Sequence, residues 1–232
     1  MFINYLNKRG IKCDDFQYTE LLDLMLSTLA ANEKFNLTAI TDKDDFEDKM
    51  LIDSALGLFD LDLTDKKVID IGTGAGFPGM VLYILNKKMN LTLLDSTKKK
   101  IEHLREYCEG KGFKNIEFVS ERSEDYASKN RDIYDFAFAR AVAPLRILIE
   151  LAMPLLKVGG TLIAMKGKDF EKEIKQAESL IKRIGCRVTR IYEDELPISQ
   201  EKRCLIYVTK IKETTKTYPR PYPKMKAELS GK

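Results

Sequence analysis

The sequence has no CxxC pair, a single histidine, and no apolar run approaching the ~18 to 20 residues that a membrane span needs. Cys13, Cys108, Cys186 and Cys204 are scattered along the chain, which argues against a disulfide framework or a zinc knuckle. Cys108 and Cys204 fall inside apolar patterns and read as small core side chains. His103 stands among charges in KKKIEHLREY and reads as a solvated helix residue, so chemistry that needs several histidines is excluded. The stretch MFINYLNKRGIKCDD lacks the basic start, apolar segment and small-residue cleavage site of a signal peptide, which favours a cytoplasmic protein. Charge of one sign is also scarce: a net +3 does not by itself imply nucleic-acid binding. Its distribution says more, because the tail from Lys216 holds five basic residues against the single acidic Glu228.

What is present is a globular composition. The chain has 232 residues, 44% hydrophobic and 32% charged, enough for one large domain or one domain with an appendage. Residues 14–33 place Phe16, Leu21, Leu22, Leu24, Met25, Leu26 and Leu29 at helical spacing, with Asp14 or Asp15 as the N-cap. A second helix is expected over 43–60, beyond the polar loop KFNLTAITD. From Lys67 the period changes. Strands are expected at 68–72, 91–95, 116–121, 135–142 and 161–167, with helices at 79–88, 97–112, 144–156 and 169–185. Residues 124–129 read as a short helix or loop and 158–160 as a turn. This alternation implies right-handed crossovers and a mostly parallel sheet covered on both faces, and the closing strands 187–196 and 203–211 read as a hairpin. The expected organisation is a helical segment over 1–64, an α/β domain over 65–212 and a basic tail over 213–232.

Residues 68–80, VIDIGTGAGFPGM, admit two readings. Gly74, Gly76 and Gly79 satisfy the GxGxxG of dinucleotide-binding proteins, whereas Asp70, Gly72, Gly74 and Gly76 satisfy the DxGxGxG of S-adenosylmethionine-dependent methyltransferases. In both, glycines permit positive φ and let backbone amides approach a ligand at the end of the first strand. Asp95 ends the second strand about 20 residues further on, where either class offers a carboxylate to ribose hydroxyls. Three features favour methyl transfer. Asp70 stands where a carboxylate can order the loop or face a cofactor ammonium group, whereas a dinucleotide site would leave the helix N-terminus free for pyrophosphate. The segment PLLKVGGTLIAMKG puts a helix end, a Gly159–Gly160 turn and a strand beyond the fourth strand. The closing hairpin inserts an antiparallel strand beside the parallel ones. Ser123 and Glu124 follow the third strand, where such folds hold the adenine, although a helix cap accounts for them equally.

The fourth strand runs into RAVAPL (140–145), with neither an Asn-Pro-Pro-aromatic turn nor a Pro-Cys or Thr-Cys motif, which disfavours amine and ring-carbon methylation. Taken in order, NLTAITD (36–42), DIGTGAGFPG (70–79), LLDS (93–96), RAVAPL, PLLKVGG (154–160), AMKG (164–167) and YPR (218–220) closely resemble the bacterial 16S ribosomal RNA guanine-N7 methyltransferases. This is the methyltransferase G, or glucose-inhibited division protein B, family, and the resemblance spans residues 20–226.

The resemblance implies an α/β, class I S-adenosylmethionine-dependent methyltransferase: a Rossmann-like, mostly parallel sheet with a C-terminal antiparallel hairpin, plus a small N-terminal helical segment. It implies S-adenosyl-L-methionine as cofactor and 16S rRNA or the small ribosomal subunit as partner, with no membrane, no metal and a monomeric state. Carried over residue by residue, cofactor contacts fall on Gly72, Phe77, Ser123, Glu124 and Arg140, with Asp95 at the ribose and Gly74 joining them from the DxGxGxG turn. Arg140 is the catalytic candidate, an organiser beside cofactor and substrate. Lys166, Arg203 and Arg220, with Lys224 and Lys226, are candidates for holding RNA phosphates, and Tyr218 and Tyr222 either stack on bases or pack the tail. Ser123 stands where many relatives carry alanine, which suggests a main-chain contact. Met50 stands where relatives carry a histidine, so no role for that histidine transfers.

Guanine N7 is a lone-pair acceptor with no proton to lose. Its methylation therefore asks for alignment and an apolar, preorganised pocket rather than a general base. Two other readings remain from the residues: a dinucleotide-dependent oxidoreductase, from GxGxxG with Asp95, and a non-catalytic RNA-binding module using the basic tail.

Overall fold

The computed structural model describes residues 1–229; positions 230–232 of the expected tail lie outside the described residues. Seven strands make one sheet: β1 (Lys67–Ile71), β2 (Asn90–Leu94), β3 (Ile116–Val119), β4 (Tyr134–Arg140), β5 (Leu156–Lys166), β6 (Cys186–Glu195) and β7 (Lys202–Lys210). Their order is β3-β2-β1-β4-β5-β7-β6. Strands β1 to β5 run parallel, and β7 lies antiparallel between β5 and β6. The strand order reverses at β1, so the carboxyl ends of β1 and β4 flank the crevice where open α/β sheets bind ligands.

Alternation along the central strands divides the core between two faces. Val68, Leu93, Phe138 and Ile163 face one layer, while Ile69, Leu94, Ala137 and Leu162 face the other. The first layer is covered by α5 (Gly79–Leu85), α6 (Lys98–Gly110) and the N-terminal elements α1 (Phe2–Asn7) and α2 (Asp15–Phe35). The second is covered by α7 (Ser123–Lys129), α8 (Leu145–Leu155) and α9 (Phe170–Ile184). The expected boundary at residue 64 therefore does not separate two cores: Leu6, Leu21, Phe46 and Ile52 belong to the same apolar cluster as Met80, Val81 and Phe138. Asp14 is the cap of α2, accepting from Gln17 N at 2.7 Å while Gln17 Oε1 accepts from Asp14 N at 3.1 Å.

Three expectations are corrected. The helix expected over 43–60 is broken into α3 (Lys43–Phe46), a π-helical turn (Glu47–Ile52), α4 (Asp53–Ala55) and a 3₁₀ turn (Leu56–Leu58). The π turn is pinned from outside, because the buried Asp48 carboxylate accepts from Ile198 N at 3.1 Å and Ser199 N at 2.9 Å in the β6–β7 connection. The turn expected at 158–160 lies inside β5. Gly159 adopts φ +87°, and a Cβ on Gly160 would stand 3.0–3.1 Å from three carbonyl oxygens, so the strand bulges there against β4. The fourth strand stops at Arg140 rather than at 142, because Ala141 turns into the left-handed region at φ +55°.

The tail does not hang free. Arg131 donates to the carbonyls of Thr214 and Tyr218, Tyr218 is buried, and α10 (Tyr222–Leu229) sets Met225 against Ile147 and Leu151 of α8. No helix among the described residues is long and apolar enough to cross a membrane.

Candidate functional site

Asp70 decides between the two readings of the glycine turn. It is fully buried at the end of β1, and its Oδ2 accepts from Thr73 Oγ1 at 2.6 Å and from Gly79 N at 2.8 Å. Gly79 is the first residue of α5, so the carboxylate occupies the helix N-terminus that a dinucleotide pyrophosphate would require. Of the two expected roles for Asp70, loop ordering is the one the contacts carry. Burial pushes its carboxyl up from 3.8 to about 6, although the Thr73 and Gly79 donors and the Arg140 charge pull the other way. At Gly72 the turn leaves no room for a side chain: a Cβ there, at φ +71°, would lie 2.7 Å from Val142 Cγ2.

Beyond this turn lies a cavity of about 570 Å³, and all seven expected cofactor residues line it: Gly72, Gly74, Phe77, Asp95, Ser123, Glu124 and Arg140. They arrive from four parts of the fold, after β1, β2 and β3 and at the end of β4. Gly72 and Gly74 come from the loop after β1, and Asp95 follows β2. Asp95 Oδ2 accepts from Gly74 N at 3.0 Å and Oδ1 from Thr97 N at 2.8 Å, which locks the carboxylate across the mouth of the loop. Ser123 and Glu124 open α7. Phe77 is buried, with Phe46 edge-on at 5.5 Å between ring centroids. The cavity thus offers a fixed carboxylate, the side-chain-free surface of Gly72 and Gly74, whose amides are already held by Leu94 O and Asp95, and the Phe77 ring. That set suits a ligand with vicinal hydroxyls, an amino-acid end and a flat base.

Arg140 closes one wall. Its Nη1 donates to Lys49 O at 2.8 Å and to Asp53 Oδ2 at 3.2 Å, and its Nη2 lies 3.0 Å from Met50 Sδ. All three partners come from the π turn and the residue after it, so this irregular helix is what fixes the guanidinium. The thioether of Met50 is therefore a neighbour of Arg140 rather than an idle substitution. Asp53 Oδ1 also pairs with Arg203 Nε at 3.2 Å, so one buried carboxylate bridges two arginines.

Three of the expected RNA-holding residues, Lys166, Arg203 and Arg220, already have carboxylate partners. Arg220 is the most tightly held. Its Nε and Nη2 each lie 2.8 Å from an oxygen of Glu150, which is 1% exposed, and Nη2 also reaches Glu228 at 2.6 Å. Through Nε and Nη2, Arg220 anchors the tail to a carboxylate buried on α8. Lys166 donates to Ala143 O and pairs with Glu173, both at 2.7 Å, and Arg203 is shared between Asp53 and Glu201. Both open on a second cavity beside Arg140.

Several lining residues escaped the sequence reading. Leu37, Thr38 and Ile40 line the cofactor cavity from the α2–α3 loop, and Tyr222 does so from α10. The block NLTAITD carried a signal for the first three, but its placement over the carboxyl end of β1 is a tertiary fact. For Asp53 and Glu173 the sequence offered no signal beyond ordinary helix charges.

The family model described as rRNA small subunit methyltransferase G matches residues 17–201. The chain is 39% identical over 214 residues to the protein named Ribosomal RNA small subunit methyltransferase G of Alkaliphilus metalliredigens, covering 91% of this chain and 90% of that protein. It is 38% identical over 222 residues to the one so named in Halalkalibacterium halodurans, covering 94% and 93%. Among solved structures, a SAM dependent methyltransferase from Aquifex aeolicus superposes with a TM-score of 0.53 at 19% identity, covering 73% of this chain and 94% of that one. M. jannaschii TYW2 in complex with AdoMet gives 0.54 at 12%, covering 65% and 72%. These structures share the fold.

Proposed function

The chain belongs to the rRNA small subunit methyltransferase G family, and from that premise we propose that it methylates N7 of one guanine in 16S rRNA, with S-adenosylmethionine held in the cavity above the glycine turn. The observation that carries this reading is the turn itself. Asp70 fills the N-terminus of α5 while Gly72, Gly74 and the fixed Asp95 carboxylate face one cavity. The residues fit this cofactor: Asp95 for the ribose hydroxyls, Ser123 and Glu124 for the adenine edge, and Phe77 with the side-chain-free surface of Gly72 and Gly74 for the rest. Bound there, S-adenosylmethionine supplies an electrophilic methyl on a sulfonium, which guanine N7 takes with its lone pair.

The protein's own residues have no proton to move, which agrees with a cavity whose lining contains no histidine. Their work is positional. Arg140, clamped by Lys49, Met50 and Asp53, makes a rigid wall where cofactor and base meet. The charges of Arg140 and Arg203 are met by Asp53 and Glu201 together, which limits the repulsion that wall exerts on the cation that forms on the base. We read the protein as acting in the cytoplasm and as a monomer.

The test is mass mapping of methylated nucleosides in 16S rRNA from cells with and without the protein. The expected result is loss of a single 7-methylguanosine, restored by the wild-type gene. An identical methylation map in both strains would refute the assignment.

A further inference from the structure

The second cavity, of about 450 Å³, shares Ile40, Arg140 and Ala141 with the cofactor cavity. A group held in it therefore touches the same wall as the cofactor. The shared wall includes Ala141 at φ +55°, a conformation that L side chains adopt at a cost and that clusters where structure serves a site. Ile40 and Met165 give the cavity apolar surface; the rest of its side chains are mostly charged.

Its carboxylates differ in what their oxygens already accept. Both oxygens of Asp53 are taken by arginines, and Glu201 is divided between Lys49 at 3.4 Å and Arg203 at 2.9 Å. Glu173, in the first turn of α9, is different. Its two protein partners, Leu145 N at 2.6 Å and Lys166 Nζ at 2.7 Å, both sit on Oε2, and Oε1 accepts from no donor among the described residues. The carboxylate is thus braced at one oxygen and offers the other.

An enzyme that modifies a base takes it out of the stack and reads its Watson–Crick edge. In guanine that edge carries two adjacent donors, N1–H and the 2-amino group, away from N7. With N7 turned to the shared wall, those donors face away from the cofactor cavity, into the part of the second cavity where Glu173 stands and which the first does not reach. Adenine would present a lone pair and a C–H there, leaving a desolvated carboxylate oxygen unpaired, the kind of mismatch that sites reject most strongly.

We propose that the second cavity receives the flipped-out guanine and that Glu173 Oε1 accepts hydrogen bonds from its N1–H and 2-amino groups, making Glu173 the residue that selects guanine. This rests on the N7-methyltransferase reading above.

The experiment measures methyl transfer to small subunits reconstituted with guanine, or with inosine lacking only the 2-amino group, at the methylated position. The wild-type protein and Glu173→Gln are compared, with cofactor affinity measured alongside. The wild type should prefer guanine to inosine by tenfold or more. Glu173→Gln should lose at least tenfold on guanine and shrink the preference below threefold, with its cofactor Kd unchanged. Equal wild-type transfer to both bases overturns the proposal without any variant. So does a Gln variant that is slower on both bases but keeps the wild-type preference, since that is the mark of a merely structural role. Absence of wild-type transfer to the guanine substrate would overturn the methyltransferase reading itself, and this proposal with it.

Discussion

Replacing Asp70 with asparagine probes the balance of forces that holds the glycine turn. In the folded protein the buried carboxyl is pushed up from 3.8 to about 6, first by burial and against the Thr73 and Gly79 hydrogen bonds. In the unfolded chain, water restores the ordinary value. Between roughly pH 4 and pH 6 the folded state thus holds a proton that the unfolded state releases. The stability present below pH 4 is lost as the pH rises through the folded value. At ~1.4 kcal/mol per pH unit, a rise of about two units corresponds to roughly 3 kcal/mol. Asparagine has nearly the same shape, keeps an acceptor for Gly79 N, and stays neutral at every pH. The stability of Asp70→Asn relative to wild type should therefore climb by roughly 3 kcal/mol from pH 4 to pH 7. A constant offset from amide geometry would shift that curve without changing its slope. The chain has no tryptophan, so urea unfolding is best followed by far-UV circular dichroism at each pH. A difference that stays flat, or that falls as the pH rises, would show that the carboxylate ionises there at no cost and would refute the argument.

Gly72→Ala should weaken S-adenosylmethionine binding at least tenfold by calorimetry, because the new Cβ meets Val142 at 2.7 Å at a position held at φ +71°. Its cost to stability should stay near 1–3 kcal/mol, the scale of one strained residue; wild-type affinity in the variant would sink the assigned role of the turn. Glu150→Gln should destabilise the protein by roughly 2–4 kcal/mol, since Arg220 keeps only Glu228 as counter-ion. Trypsin should then cut the tail at Lys216 or Lys224 faster, and cofactor binding should weaken because Tyr222 lines the cavity; a tail equally protected in both proteins would contradict this.

The strands and helices between residues 67 and 211 were legible because their apolar periods differ, whereas α10 in the tail was not. A buried strand and an amphipathic helix leave different spacings whatever surrounds them. The glycine turn was legible for a similar local reason, since DxGxGxG specifies backbone conformations that few other residues adopt. The break at 47–52 was not. Its cause is Asp48 reaching amides at Ile198 and Ser199, some 150 positions away. The strand expected to continue to 142 failed at Ala141, where no glycine marked the positive φ.

The seven expected residues that line the cavity were legible because they stand at or after the carboxyl ends of β1 to β4, which the parallel α/β rule brings together, whereas Leu37, Thr38, Ile40 and Tyr222 arrive from outside the sheet. Charge is least legible where its partner is remote. A basic tail in sequence is a cation supply, but Glu150, 70 positions before Arg220, turns it into an anchor. The same holds for Arg140, which local sequence nominates but which Lys49, Met50 and Asp53 aim. Sequence alone determined the element types, the glycine turn and the carboxylate beyond it, which depend on neighbours within a few residues. Only the tertiary structure decided which charges are free and which are paired. An ion pair joins whatever the fold desolvates together, and no local pattern carries that information.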